Sequence, residues 1–356
     1  MKKSLLALAV LGAFAGAASA QSSVTVYGIV DTGIASTDTG ATNGRSTAMI
    51  SGGQSASRIG FKGTEDLGNG LKANFVLESG FSSDSGDIAT GTLFNRVSTL
   101  GLSGGFGAFN AGKQTTVLKD AHDQIDPFGA AGIVGNIERI FYNARSTATT
   151  YVAGPGARPS NSLKYSSNSF GGFKAQAQYT FGEQRGDNGA GAGYGLGLGY
   201  ANGPLNVQFG YNDQDFSAAN AVTTTETKNA FLGATYDFGG FKLHGAYADT
   251  KAEIANAETK ARNAMVGVSV KLGAGTLLAS YAINDNKTTG AVNADAKQVA
   301  IGYTYDLSKR TNLYTGYSRT SNDANSNVGS SQLPAPGAVA NGNDVSTLAV
   351  GIRHKF

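Results

Sequence analysis

The sequence predicts an all-β chain, a sixteen-stranded antiparallel transmembrane β-barrel, and three observations carry the prediction. The first is a two-residue period that runs to the C-terminus. Leu348, Val350, Ile352 and Phe356 alternate with Thr347, Ala349, Gly351, Arg353 and Lys355, which describes a strand with one apolar and one polar face. In a closing barrel such a strand pairs with the first and sets an aromatic ring at the membrane interface. The second is composition: 51 Gly, 15 Tyr and 18 Phe among 356 residues, no Trp, and 15% charged residues. A soluble domain carries about 25% charge, and a helical membrane protein needs apolar runs of about 18 residues or more. The third is a strict alternation of tight turns with longer polar loops.

The strands follow in order. Sixteen segments of alternating polarity are predicted at 24–34, 56–65, 71–82, 92–103, 106–114, 161–168, 173–182, 192–202, 204–213, 228–238, 241–250, 261–272, 275–285, 296–306, 311–320 and 345–356. The clearest set the register. Phe173, Ala175, Ala177, Tyr179 and Phe181 oppose Lys174, Gln176, Gln178 and Thr180, and Val299, Ile301, Tyr303 and Tyr305 oppose Gln298, Ala300, Gly302 and Thr304. The tight turns, such as Asp66 to Gly70, Asn202 to Gly203 and Asp237 to Gly240, are rich in Gly, Asp and Asn, the chemistry of hairpins. All short turns therefore lie on one side of the membrane and all long loops on the other. Apolar faces that begin and end on aromatic residues match the two girdles of a membrane barrel and argue against a soluble sandwich.

Residues 1–20 read as a secretory leader: Lys2 and Lys3, an apolar stretch from Leu5 to Ala18, and a small-x-small site at Ala18-Ser19-Ala20. That run is short of the roughly 20 residues that span a bilayer. Residues 21–356 form the predicted barrel domain. An even strand number returns both ends to the short-turn side, where a secreted chain arrives, so the short turns are periplasmic and the long loops extracellular. No cysteine is present, which suits an oxidising compartment and offers no thiolate chemistry. The 28 basic side chains, two of them in the leader, nearly balance 25 acidic ones, which argues against nucleic acid as a partner.

Sixteen strands enclose a water-filled lumen unless something plugs it. With three residues between the leader and Val24, no plug domain is expected, so a loop must narrow the lumen. The connection from about 115 to 160 is far longer than the others, and a loop of that length is usually functional or disordered. It carries Asp120, Asp123, Asp126 and Glu138, with a turn at Asp126-Pro127-Phe128-Gly129. Basic residues stand on the lumen face of the wall. Arg58 and Lys62 oppose Ile59 and Phe61, and Lys164 opposes Leu163 and Tyr165. The parity of Arg96 and Lys113 stays open, because Leu100 and Leu102 compete with Val97 and Thr99 for the outward face. Cations on one wall facing loop carboxylates would set a transverse field that favours polar solutes.

Four stretches carry a resemblance to a known family: Ser23-Val24-Thr25-Val26-Tyr27-Gly28-Ile29-Val30-Asp31, Ser57-Arg58-Ile59-Gly60-Phe61-Lys62-Gly63, Asn161-Ser162-Leu163-Lys164-Tyr165 and Gly351-Ile352-Arg353-His354-Lys355-Phe356. The chain resembles the general trimeric porins of the Gram-negative outer membrane, of the β-proteobacterial Burkholderia, Neisseria and Comamonas type. The resemblance implies an inward-folded third loop whose acidic tip faces a cluster of arginines. By motif position Arg58 and Arg96 match two of these, Lys113 stands where Arg is usual, and Arg158 and Lys164 fall near the start of the sixth strand. The usual Glu between Pro and Phe at the tip is missing, so Asp126 is expected to supply the carboxylate. The resemblance also implies a homotrimer, an outer-membrane location among lipid and lipopolysaccharide, and Phe356 as the signal that the barrel assembly machinery reads. Small residues at Gly28, Thr32 and Gly33 favour close approach of neighbouring barrels.

The predicted function is an outer-membrane porin: a water-filled channel for passive diffusion of small hydrophilic solutes and ions, weakly anion-selective because Arg58, Arg96, Lys113 and Lys164 face only a few loop carboxylates. A sugar- or organic-anion-specific porin is the alternative, although no aromatic track is evident, and an adhesin or enzymatic barrel ranks below it. The run Gly191, Gly193, Gly195, Gly197, Gly199 lacks the strand-turn-helix setting of a phosphate loop and reads as a strand with a small-residue lumen face. His122, His244 and His354 lack metal-ligand spacing, and no nucleophile, base and acid assemble. No cofactor, metal or enzymatic activity is expected.

Overall fold

The computed structural model describes residues 23–42, 44–88, 91–129, 132–142, 158–216, 225–254, 257–329 and 339–356. The predicted leader and part of the long loop lie outside these. Seventeen strand segments form one antiparallel sheet: β1 (Ser23–Asp38), β2 (Arg45–Ser51), β3 (Arg58–Gly68), β4 (Leu71–Gly80), β5 (Val97–Gly104), β6 (Gly107–Lys113), β7 (Ser162–Ser166), β8 (Phe173–Thr180), β9 (Gly193–Asn202), β10 (Leu205–Asp215), β11 (Thr225–Asp237), β12 (Phe241–Ile254), β13 (Ala257–Leu272), β14 (Gly275–Asn286), β15 (Ala296–Asp306), β16 (Thr311–Asn322) and β17 (Val345–Lys355). The sheet closes because β1 pairs with β17 from Ile29↔Lys355 to Asp38↔Ser346. Backbone bonds between Gly28 and Phe356, 3.1 Å in each direction, complete the seam at the C-terminus.

On its other side β1 pairs with two partners, β2 through Thr32↔Ser51 to Asp38↔Arg45 and β3 through Ser23↔Thr64 to Ile29↔Arg58. Together β2 and β3 make one stave, and the barrel has the sixteen staves that the sequence predicts. The predicted loop over 35–55 is corrected: β1 runs on to Asp38 and β2 returns along it. That hairpin is rich in Ser, Thr and Ala, with Ile34 and Met49 its only large apolar residues outward, so its alternation carries little hydrophobic contrast. A second extension joins β12 to β13, where Lys251 of β12 reaches Glu258 of β13 at 2.5 Å across the strands and Lys260 of β13 meets the same carboxylate at 2.6 Å, in place of the expected loop.

Between β2 and β3 the chain leaves the sheet at 52–57, and Asp31 organises the break. Its carboxylate, fully buried, accepts from the backbone N–H of Gln54 at 3.0 Å and Ser55 at 2.6 Å and from the Tyr314 hydroxyl at 2.7 Å. A buried charge persists only when hydrogen-bonded in this way. Gly52, at φ +80°, makes the turn.

Apolar and polar surfaces are arranged for lipid outside and water inside. Leu196, Leu198, Leu232, Val266, Val299, Ile301, Leu348 and Val350 are exposed on the outer face, while Gln178, Gln208, Asn263, Ser280, Gln298 and Ser318 are buried from the opposite side. The hydrophobic core sits inside the lumen, where the long loop folds in. Its helices α1 (Val117–Asp123) and α2 (Ile137–Phe141) are capped by Thr116 and Asn136. Leu118, Ile125, Ile137, Ile140 and Phe141 pack there with Phe231, Met265, Ala282 and Ala296 of the wall.

Candidate pore constriction

A seat of glycines lets the loop lie against the wall. Gly195, Gly210, Gly233, Gly267, Gly302 and Gly316, on six different strands, stand under Val117, Leu118, Ile125, Pro127, Phe128 and Val134. A Cβ added at any of the six would come within 2.9 Å of the loop. The glycine-rich strand at 191–199 thus has the small-residue lumen face that its sequence predicts, and the reason for it is the loop.

An ion pair fastens the entry of this inward fold to the wall, others join its two helices, and hydrogen bonds hold its exit. Lys164 reaches Asp120 at 2.7 Å and the Thr115 carbonyl at 2.9 Å, and Gln176 donates to the same carboxylate at 3.2 Å. Lys119, which the sequence reading passed over, is buried between Glu138 at 2.6 Å and Asp123. Burial opposes its ammonium, but the carboxylates of Glu138 and Asp123 outweigh that and raise its pKa. Burial in turn raises the pKa of Glu138, against the pull of Lys119. His122 is enclosed by Phe141, Tyr142 and Phe231 with neither ring nitrogen hydrogen-bonded, and burial holds its pKa well below the ordinary range. Lys113 donates to the Arg158 carbonyl at 2.9 Å and to Ser160 at 3.4 Å, and so holds the limb that leads out of the loop.

Across from the loop, Glu78 of β4 takes Arg96 Nε at 2.6 Å, Arg58 Nε at 3.8 Å and the Tyr27 hydroxyl at 3.0 Å. The parity of β5 resolves with Leu100 (66% exposed) and Leu102 (45%) outward. Arg96 escapes that alternation because it precedes the regular strand, where Asn95 exchanges bonds of 2.8 and 3.2 Å with the Gly80 backbone. Arg158 lies within electrostatic reach of Arg96, Asp123, Glu138 and Glu78; burial first, and then Arg96, hold its guanidinium below the usual range. Lys62 stands apart from these, with its ammonium 5.3 Å over the Tyr27 ring.

Of the four loop carboxylates, Asp123 has the most exposed side chain (42%) although Lys119 holds one of its oxygens and burial raises its pKa, and its charge acts on both Arg58 and Arg158. Asp126, expected as the acidic tip, instead turns into the loop. It accepts from the N–H of Phe128 at 2.8 Å and of Ile137 at 3.2 Å, and burial pushes its pKa up to about 7. Without a Glu beside Pro127, the tip has no carboxylate to spare for the lumen. Glu78 is the second residue, after Lys119, that the sequence reading missed. The signal was present, since Lys72, Asn74, Val76 and Glu78 share the face opposite Ala73, Phe75 and Leu77.

A closed barrel of sixteen staves, apolar outside and polar within, with a loop seated across its lumen opposite a row of guanidinium groups, defines a membrane-spanning pore. The chain belongs to the Gram-negative porin family, whose profile matches residues 7–325. It is 38% identical to outer membrane porin protein 32 of Delftia acidovorans and 32% identical to major outer membrane protein P.IB of Neisseria meningitidis serogroup B, each comparison covering 100% of both chains. Among solved structures it is similar to the anion-selective porin from Comamonas acidovorans, with a TM-score of 0.83, 34% identity, and 94% of this chain and 100% of that one covered. The protein is an outer-membrane porin, a channel through which solutes cross that membrane.

Proposed function

We propose that this porin is a homotrimeric diffusion channel for small hydrophilic solutes with a weak preference for anions. The observation that carries the reading is the charge balance at the narrow section. Arg58, Arg96 and Arg158 gather there against Glu78 and the carboxylate of Asp123, which Lys119 also holds, an excess of positive charge that favours anions. The likeness to the anion-selective porin from Comamonas acidovorans supports the same sign. The balance also suits diffusion of many solutes in place of tight binding of one, because Glu78 already occupies two of the cations. Reversal potentials of single channels under a KCl gradient test this: anion preference is expected at low salt and should shrink at high salt, as the Debye length falls from about 10 Å at 0.1 M to about 3 Å at 1 M. Cation preference in the native channel would overturn it.

The outer surface supports the trimer. At the long-loop end, β8, β9, β10, β12, β14 and β16 carry outward Tyr179, Tyr194, Tyr211, Tyr247, Tyr281 and Tyr317. From β17 round to β6 the outward positions towards the long-loop end include the small residues Thr32, Ser36, Thr47 and Ser98. A girdle interrupted by small residues suits a protein neighbour better than lipid. Native mass measurement after mild extraction should return three copies, and monomer alone would count against the reading.

Residues 1–20 act as a cleaved leader ahead of a 21–356 barrel domain, Phe356 addresses the barrel assembly machinery, and lipid with lipopolysaccharide surrounds the rest of the outer face. Sequencing of the mature N-terminus should begin at Gln21, and deletion of Phe356 should leave unassembled chain in the periplasm.

A further inference from the structure

Beneath the loop tip lies a second cavity that the constriction does not use. It has a volume of about 190 Å³ and opens between Pro127 and Phe128 of the tip, Leu278 and Tyr314 of the wall, and the excursion at Gln54, with Arg353 of β17 at its edge. Most of this lining is apolar, and the polar groups in it are largely spent. The Tyr314 hydroxyl is committed to Asp31 at 2.7 Å, and the Gln54 side-chain oxygen accepts from Asn312 at 2.8 Å.

Beside the Thr304 hydroxyl, Arg353 is the exception, and the one charged group in the lining. Its Nε donates to the Asn312 side-chain oxygen at 3.0 Å and its Nη1 to the Ser55 hydroxyl at 2.9 Å, both neutral acceptors. No carboxylate among the described residues comes within 4.0 Å of it; Asp31 and Asp306 act on it only from longer range, and Asp31 is already taken up by Gln54, Ser55 and Tyr314. A guanidinium has five N–H donors in a planar fork that matches a carboxylate, so three remain. A half-buried cation with unused donors beside an apolar recess calls for an anion whose charge is single and whose body is greasy. An apolar cavity of about 150 Å³ takes benzene, so this one has room for a ring and little more.

We propose that this cavity is a binding subsite, on the short-turn side of the loop, for small monocarboxylates with a compact apolar body, the carboxylate on Arg353 and the body against Phe128 and Leu278. A dianion such as phosphate would meet one cation and an apolar wall. Acetate would meet the cation but leave the wall uncovered. The subsite rests on the channel reading, since its occupancy is read as interruption of ion flow.

Benzoate added on the short-turn side of reconstituted channels in KCl is the test. It should interrupt the current in a concentration-dependent way, and acetate at equal concentration should not. In Arg353→Gln the concentration needed should rise at least about tenfold, the scale of one charge-assisted hydrogen bond, with KCl conductance retained. Arg353→Lys should fall between. If Arg353→Gln does not insert, Leu278→Gln keeps the Ser55 and Asn312 bonds and should weaken benzoate by a similar factor. Equal block by acetate, block unchanged in these variants, or block that survives Arg353→Gln but is lost in Arg58→Ser would each overturn the subsite. Absence of any KCl conductance in the native protein would instead overturn the channel reading.

Discussion

Arg96 and Glu78 are joined at 2.6 Å across the β4–β5 boundary, and the same carboxylate holds Arg58 at 3.8 Å. A wall carboxylate, not one from the loop, therefore sets how much positive charge the lumen sees.

Glu78→Gln removes that restraint and leaves Arg58 and Arg96 uncompensated. Anion preference should increase, with the reversal potential under a KCl gradient moving further to the anion side, most at low salt where screening is weakest. Arg58→Ser combined with Arg96→Ser should move it the other way while conductance persists. No movement in either variant would separate these residues from the conduction path.

The glycine seat makes a prediction about space. A Cβ at Gly210 would come within 2.9 Å of Leu118 Cα, a backbone atom that no side-chain rotation can move away. Gly210→Ala should displace α1, cost about 1–3 kcal/mol as overpacking does, and make single-channel current noisier. Gly245→Ala, where nothing lies within 4 Å, is the control and should match the native channel in thermal melting and in noise.

Lys119 holds α1 to α2 through Glu138 at 2.6 Å. Lys119→Met leaves a buried carboxylate without its partner, and breaking one side of such a pair costs about 3–5 kcal/mol. Limited proteolysis should then cut within the loop while the barrel stays intact. Adding Glu138→Gln should recover much of the protection, because the stranded charge is gone; a double variant as sensitive as the single one would show that the ion pair is not what holds the helices.

Asp126 gives the loop a pH dependence of definite sign. Its folded pKa of about 7 stands above the ordinary 3.8, so the folded loop binds a proton more tightly than the unfolded chain. The stabilisation is complete below about pH 4 and is lost as pH rises through about 7. Glu138, raised by burial, acts in the same direction. Hydrogen exchange at α1 and α2, corrected for intrinsic rates, should show more protection at pH 5 than at pH 8. Asp126→Asn should flatten much of that difference, and an equal slope in the variant would assign it elsewhere.

Much of this architecture is legible in the sequence because a strand writes its environment at a two-residue period. Alternation from Phe173 to Phe181 or from Val299 to Tyr305 settles which face meets lipid, and Asp and Gly at 66–70 and 237–240 mark the tight turns, with the Gly68 and Gly239 N–H bonded to Asp66 and Asp237 at 2.8 Å. These are local properties, set by neighbours one or two residues apart. The hairpin of β1 with β2 escaped because Ser, Thr and Ala alternate without contrast.

What a charge touches is decided over distances the sequence does not order. Arg58 and Lys164 are legible as lumen cations, but that one meets Glu78 on the wall and the other meets Asp120 on the loop depends on where the loop comes to rest. That resting place depends on six glycines spread over six strands, each meaningful only once the barrel has closed and brought them into a single surface. Asp126 shows the same limit. Its sequence places it at a loop tip, and only the packing of Phe128 and Ile137 around it turns its carboxylate inward to their N–H groups and away from the lumen.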